Sequence, residues 1–240
     1  MDLPLPGLPL RDPISALTHL VACAFALYAT ALFRRLTRSD RAKRLCLTCF
    51  GATAVTLYAA STLYHAVPLP PNSPAVRAFR RLDHSAVYLL IAGTYTPILA
   101  VLLRGRPRSV LLAVIWLLAG VGVVAKWLLP APPEWLEIGL YVGLGWLAVV
   151  PAVALTRAVG VRGLGWVVAG GLCYTAGAAF ELARWPVLVP GLVAWHEVFH
   201  LCAMAGTALH AVFMIRCVVP FRRACADAVG DRFEVESDAR

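Results

Sequence analysis

The residues with the clearest capacity for chemistry lie in one short stretch near the end of the chain, Trp195-His196-Glu197-Val198-Phe199-His200. Residues four apart on an α-helix lie on the same face, about one turn apart. His196 and His200 can therefore present two imidazole nitrogens to the same metal ion. Because a zinc site needs at least a third protein ligand, the pair predicts a metal site whose other ligands lie elsewhere in the chain.

The composition indicates what kind of elements must position these residues. The 240 residues are 60% hydrophobic and 15% charged, and the mean hydropathy is +0.74. These values are typical of an integral membrane protein surrounded by membrane lipids. The net charge of +9 comes from short clusters of cations between apolar runs, without a basic face carrying interleaved aromatic residues. The sequence therefore argues against a nucleic-acid partner.

Seven apolar runs predict an all-α integral membrane protein, a bundle of seven transmembrane helices. Each run is close to the ~20 residues that cross a bilayer, and lipid leaves open backbone groups unsatisfied unless the chain is helical. The runs cover residues 14–33, 45–66, 84–103, 109–127, 136–156, 164–181 and 191–215. They predict one transmembrane domain, 14–215, between a Pro-rich segment, 1–13, and a charged tail, 216–240. The seven cysteines are interpreted as free thiols.

The loop cations predict the orientation. One side of the membrane receives most of them: Arg34, Arg35, Arg38, Arg41, Lys43, Arg44, Arg104, Arg106, Arg108, Arg157, Arg162, Arg216, Arg222 and Arg223. The other side receives Arg11, Arg77, Arg80, Arg81, Lys126 and Arg184. Since cytoplasmic loops carry the excess of cations, we expect the N-terminus outside and the C-terminus in the cytoplasm of a bacterial inner membrane.

With this topology, the end of the second helix and the starts of the third and seventh helices share one side of the membrane. Their polar residues predict a zinc site with His65, His196 and His200 as ligands and the fourth position left for water. Water in such a position becomes a nucleophile near neutral pH. Asp83 would accept its proton, and Ser61 would assist by hydrogen bonding.

An intramembrane metalloprotease is the competing interpretation of the same residues. His196-Glu197-Val198-Phe199-His200 matches H-E-x-x-H, in which the glutamate is the general base. Such an enzyme would normally take an aspartate from another helix as its third ligand. Asp83 is the only one at a comparable depth, and His65 competes for that place. The acidic side chain of Glu197 would also suit a helix start, whose dipole favours a negative charge.

Other acidic residues are interpreted as structural. Glu181 and Arg184 are three apart and are expected to form an interfacial ion pair. Glu134 and Glu137 lie at a predicted exposed helix start, where the helix dipole favours negative charge. None of these residues is assigned to the metal site.

The remaining histidines are not assigned to it either. His19 and His210 are expected to be structural partners inside the bundle or polar contacts along an entry route. His84 could be a fourth ligand, but on an ideal helix its side chain is turned about 100° from that of Asp83.

Three parts of the chain resemble one known family. They are Ser61-x3-His65, the run from Arg81 to Pro97 (RLDHSAVYLLIAGTYTP) and His196-x3-His200. They resemble the hemolysin III family, the bacterial branch of the progestin and adipoQ receptor superfamily, which is similar to alkaline ceramidases. The resemblance implies a seven-helix bundle with zinc at His65, His196 and His200 and with Asp83 and Ser61 around the metal-bound water.

The resemblance leaves three functions open. It implies a zinc-dependent hydrolase acting on lipid amides, a cytolytic pore-forming protein, or a membrane-homeostasis or receptor-like protein that uses zinc structurally. The few charges in the predicted spans argue against a wide aqueous pore. The adiponectin-type receptors place the N-terminus and the zinc toward the cytoplasm, whereas the loop cations here predict a site at the outer face.

Overall fold

A computed structural model describes residues 10–222. The start of the predicted Pro-rich segment, residues 1–9, and most of the predicted tail, 223–240 with Arg223 and Cys225, lie outside the described residues. Between them the chain forms seven α-helices, which confirms the all-α prediction. They are α1 (Pro13–Leu36), α2 (Arg41–Ala66), α3 (Pro74–Leu102), α4 (Gly105–Leu128), α5 (Glu134–Trp146), α6 (Ala152–Ala183) and α7 (Trp195–Phe213), the last continued by a π-helical turn, Met214–Val218.

The start of α3 differs from the prediction. The helix begins at Pro74, ten residues before the apolar run that starts at His84. Ser73 caps it by accepting a hydrogen bond from the backbone N–H of Val76 at 3.3 Å, and proline suits the first helical position because its missing N–H would be unpaired there anyway. The hydropathy run had located only the apolar part of the helix. Asp83 consequently lies within a continuous helix instead of at its end.

Six helical segments in the described part of the chain are long and apolar enough to cross a membrane, with mean hydropathies between 1.3 and 2.2. The segment that falls short is α5, with 13 residues. A 3₁₀ turn, Leu147–Val149, and Pro151 follow it and interrupt the predicted fifth helix. The predicted break between the fifth and sixth runs occurs inside α6 at Gly160, whose φ of 71° is accessible to glycine at little cost.

The packing leaves one end of the bundle closed and the other polar. The central helix is α3, whose spanning stretch is 72% buried, whereas the corresponding stretches of α4 and α6 are 11% buried and expose apolar side chains outward, as lipid-facing helices do. Many of the largest fully buried side chains lie at one end: Phe33, Leu47, Phe50, Leu99, Phe213 and Met214. At the opposite end, the start of α1, the end of α2 and the start of α7 bring polar residues together.

Candidate metal centre

Four histidines from three helices lie together at this polar end. The rings of His65 on α2 and His200 on α7 form the middle of the cluster, with their centroids 5.0 Å apart. His196 lies on one flank, 4.3 Å from the ring of His200 and 5.4 Å from that of His65. His19 of α1 lies 4.2 Å from the ring of His200 and 5.7 Å from that of His65.

The nitrogen atoms of this cluster suit a metal ion. His19, His65 and His200 each offer a ligand atom within 4.8 Å of the others, and all three residues are buried. Nε2 of His65, Nδ1 of His200 and both ring nitrogens of His19 are buried without a hydrogen-bond partner. Unpaired polar atoms are costly to bury, and imidazole nitrogen is a preferred zinc ligand. The three buried histidines therefore offer a donor set that fits a metal ion, and His196 lies outside this set.

Two of the histidines are held from behind by carboxylates. Nδ1 of His65 lies 2.9 Å from Oδ2 of Asp12, and Nδ1 of His196 lies 3.1 Å from Oε1 of Glu181. Because each Nδ1–H donates to a carboxylate, each ring keeps its Nε2 available, and Nε2 of His65 is buried without a hydrogen-bond partner. This is the arrangement that orients zinc-binding histidines in proteins.

Asp12 is suited to remain an anion in this role. Burial by itself would raise its pKa, but hydrogen bonds from His65 and Arg11 outweigh burial and hold the pKa below its usual value. Nε of Arg11 donates to Oδ2 of Asp12 at 3.0 Å. The guanidinium of Arg11 is in turn placed over the ring of Tyr64, 4.2 Å from its centroid.

Glu181 does not form the predicted ion pair with Arg184. Arg184 instead pairs with Glu134 at 3.4 Å, an exposed contact, whereas Glu181 turns toward His196. The close approach of α6 to α7 makes this possible. A Cβ atom at Gly177 would come within 2.9 Å of the Cβ of Cys202, so glycine allows the two helices to meet. Spacing along one helix missed this contact because it crosses between helices.

Asp83 and Ser61 lie at the same site as the histidines. Ser61 is buried, and its hydroxyl lies near the Asp83 carboxylate. Both residues line one cavity of about 410 Å³ together with His19, His196 and His200. The cavity thus brings together both predicted catalytic residues and two of the three predicted ligands, while the ring of His65 packs directly behind them.

The cavity is deep and mostly apolar. Along α3 it extends from Arg80 to Ile98, 18 residues or ~27 Å of helix at the usual rise. Beyond the histidines its walls are largely apolar, and they include Val149, Ala152 and Leu164. The space can therefore accept a long apolar chain with a polar group beside the histidines.

Glu197 is engaged away from the cluster. Its Oε1 accepts a hydrogen bond from the hydroxyl of Ser15 at 3.1 Å, and its Oε2 accepts one from the backbone N–H of Ala194 at 2.9 Å. Glu197 thus caps α7 and joins it to α1. Both carboxylate oxygens have partners, which disfavours its use as the general base of a protease.

A second polar cluster lies beside the first and contains Glu137 and His84, two residues for which the sequence had suggested other roles. Glu137 is 6% exposed, which corrects its predicted place at an exposed helix start. It accepts hydrogen bonds from Nδ1 of His84 at 2.5 Å and from the hydroxyl of Tyr141 at 2.6 Å, and it pairs with Lys126. His84 therefore belongs to this cluster, through its bond to Glu137.

His210 and His19 were given the same interpretation from the sequence, but the structure places them in different environments. His210 is buried about 15 Å along α7 from His200, and its Nε2 donates to the carbonyl of Val167 at 3.2 Å, a packing contact. His19 instead joins the metal-binding cluster. The sequence signal for His19 was its depth, since it lies two turns into α1 from the same end as His65.

Most of the chain also matches one known protein family. Residues 9–211 match the family described as Haemolysin-III related. The chain belongs to that family. Hemolysin-3 of Bacillus cereus is 36% identical over 173 residues, which are 72% of this chain and 75% of that protein. The Hemolysin-3 homolog of Bacillus subtilis (strain 168) is 31% identical over 176 residues, 72% of this chain and 78% of that protein.

A more distant similarity extends to animal receptors. Progestin and adipoQ receptor-like protein 1 of Caenorhabditis elegans is 26% identical over 214 residues. The match covers 80% of this chain and 48% of that protein. The expected membership of the hemolysin III branch within this superfamily is thereby confirmed.

Proposed function

We propose that this protein is a zinc-dependent hydrolase of lipid amides, embedded in a bacterial inner membrane. The observation that carries the proposal is the cavity in which Ser61 and Asp83 face the histidine cluster at one end of a long apolar space. A soluble substrate would not need such a space, whereas an acyl chain fits it chemically.

His65, His196 and His200 are the proposed zinc ligands, each through Nε2. The carboxylates Asp12 and Glu181 support this choice, since they occupy the Nδ1 positions of His65 and His196. The 39% exposed side chain of His196 lies on the cavity side of the cluster. Its Nε2 would complete the set only after the ring moves, because His196 lies outside the group of three histidines whose ligand atoms are within 4.8 Å of one another.

Zinc held there would act as a Lewis acid toward the amide carbonyl and make water a competent nucleophile. Asp83 takes the proton as the water oxygen bonds to the carbonyl carbon. Ser61 hydrogen-bonds the carboxylate and fixes its orientation toward the reacting groups. Asp83 then returns the proton to the amine nitrogen as the C–N bond breaks, releasing a carboxylic acid and an amine, and transfer of the remaining acid proton converts them to a carboxylate and an ammonium ion.

The proposed topology has seven crossings. The fifth crossing is composite and consists of α5, the 3₁₀ turn and the first part of α6 up to Gly160. The rest of α6 and the other five helices supply the remaining six crossings. The loop cations support an external N-terminus and a cytoplasmic C-terminus. This places the zinc site toward the outer face of the membrane.

The zinc site is tested by metal analysis of purified protein. We expect about one zinc per chain in the wild type and none in the variant combining His65→Ala with His200→Ala, because two of three ligands are gone. His210→Ala is the matched control: it removes an equally buried histidine of α7 outside the cluster and should keep its zinc. Zinc-free wild type, or full zinc in the double variant, would refute the site.

The reaction is tested by mass spectrometry of lipids that copurify with the protein. Asp83→Ala should retain an amide-linked lipid that wild type has cleaved, because loss of the proton acceptor lowers turnover by about 10²–10⁴-fold. Zinc content should stay near that of wild type. Equal lipid profiles in the two proteins would count against hydrolysis.

The names of the Bacillus relatives favour testing a second function, membrane lysis. Liposomes loaded with a dye and reconstituted with the protein distinguish the two activities. Leakage that persists in the His65→Ala, His200→Ala variant would support a pore. Lipid cleavage that depends on both histidines, without leakage, would support the hydrolase.

A further inference from the structure

The three proposed zinc ligands differ in how their second ring nitrogen is held. Nδ1 of His65 and Nδ1 of His196 each meet a carboxylate. Nδ1 of His200 has no hydrogen-bond partner, although His200 is 5% exposed. Once Nε2 of His200 binds a metal, its Nδ1 carries the ring proton, and a buried N–H without an acceptor is costly.

His19 packs against the ring of His200, and its own ring nitrogens also lack hydrogen-bond partners. Its ring centroid is 4.2 Å from that of His200, and the two rings meet edge to face at 65°. Both nitrogens of His19 are buried and unpaired, and the residue is 4% exposed. A neutral imidazole has one nitrogen that can accept a hydrogen bond. After rotation of its ring, His19 can therefore accept a hydrogen bond from the Nδ1–H of His200.

We infer that His19 is a positioning residue, which accepts a hydrogen bond from Nδ1 of His200 and holds Nε2 of His200 toward the zinc. The inference rests on the proposed zinc site. It gives each of the three ligands a partner behind it: Asp12 for His65, Glu181 for His196 and His19 for His200. It also explains why His19 lies within the histidine cluster although three ligands are already present.

A direct ligand role for His19 is the alternative that the same distances allow. Two features favour the positioning role. His65 and His196 both use Nδ1 for their carboxylate partners, so the same use of Nε2 for the metal in His200 leaves its Nδ1 to bond a partner. A fourth histidine ligand would also fill the position that the proposed reaction needs for water.

Zinc affinity, measured by competition with a chelator, tests the inference. His19→Ala and His19→Leu should weaken zinc binding by about 10–100-fold, as loss of such a partner does at other zinc sites. His19→Asn should restore most of the affinity, because its side-chain carbonyl can accept the hydrogen bond from His200. Leucine and asparagine are similar in size, so this pair separates hydrogen bonding from packing. His210→Ala should bind zinc like wild type.

X-ray absorption at the zinc edge separates positioning from ligation. Zinc-loaded wild type and His19→Leu should both contain three imidazole ligands. A loss of one imidazole in His19→Leu would overturn the inference in favour of direct ligation, and unchanged zinc affinity in His19→Leu would overturn it as well. Equal affinities of the leucine and asparagine variants would reduce His19 to packing. Zinc-free wild type would instead refute the proposed function itself.

Discussion

Two polar clusters lie side by side at the same end of this bundle, and they differ in their balance of donors and acceptors. Around Glu137, three donors converge on one carboxylate: His84, Lys126 and Tyr141. Around His65 and His200, ring nitrogens face one another without acceptors or cations between them. The first cluster is satisfied by its own residues, whereas the second has unpaired buried nitrogens that a metal ion would satisfy.

This difference matters because burying an ionisable residue inside a membrane protein costs free energy. Ionisable residues inside a membrane protein mark functional sites by default. Of the two clusters, the histidine cluster is the one with buried ring nitrogens that lack hydrogen-bond partners. The Glu137 cluster ties α3, α4 and α5 together, and this matters because α5 is short and is bonded to α3 at few points, such as the hydroxyl of Tyr95 donating to the carbonyl of Gly145 at 2.5 Å.

Breaking the Glu137 cluster should give the largest loss of stability. Glu137→Ala leaves Lys126 and His84 without their carboxylate, and removal of one partner from a buried ion pair costs about 3–5 kcal/mol. We expect a clearly lower midpoint of thermal unfolding in detergent. Zinc content should remain near that of wild type, since none of the proposed ligands is touched. Loss of zinc from folded Glu137→Ala would show that the two clusters are not independent.

Changing the carboxylate that holds His65 should lower zinc affinity and leave thermal stability almost unchanged, the reverse of the effect expected for Glu137→Ala. Asp12→Asn replaces the carboxylate that orients His65, so zinc affinity should fall by about 10–100-fold, as expected when an outer partner is lost. The thermal midpoint of the zinc-free protein should change little.

Asp40→Asn is the matched control for this change. Asp40 caps α2 at its other end by accepting from the backbone N–H of Lys43, and asparagine is an equally good cap. Its zinc affinity should be unchanged. Equal affinities of Asp12→Asn and Asp40→Asn would contradict the orienting role of Asp12.

The sequence could predict the part of the site that lies within apolar runs. His65 and His200 stand out because a polar residue in a spanning helix is costly, and reading helix ends by depth brought them together with Ser61 and Asp83. The outer partners were missed. Asp12 precedes the first apolar run and therefore carries no signal of its own. Glu181 had a nearer candidate partner in Arg184, three residues along the same helix.

The helix count shows a similar limit. Hydropathy located every apolar run, but it averages over the local backbone. Pro151 interrupts the fifth run, and Gly160 allows the turn that separates it from the sixth. The ends were also set by polar signals outside the runs, as Ser73 and Pro74 show for α3.

The substitution with the smallest expected effect, Glu197→Gln, tests whether Glu197 acts as the general base of a protease. Glu197→Gln removes a charge but keeps an oxygen that can accept from Ala194, so the cap of α7 should persist and stability should fall by no more than ~1 kcal/mol. Zinc content and lipid turnover should stay near wild type, because both oxygens of Glu197 already face the helix start and Ser15. Asp83→Asn is the matched change on the other side of the cavity and should lose turnover. If Glu197→Gln lost turnover while Asp83→Asn kept it, the H-E-x-x-H interpretation would replace the one proposed, and the general base would lie between the histidines of α7 instead of across the cavity on α3.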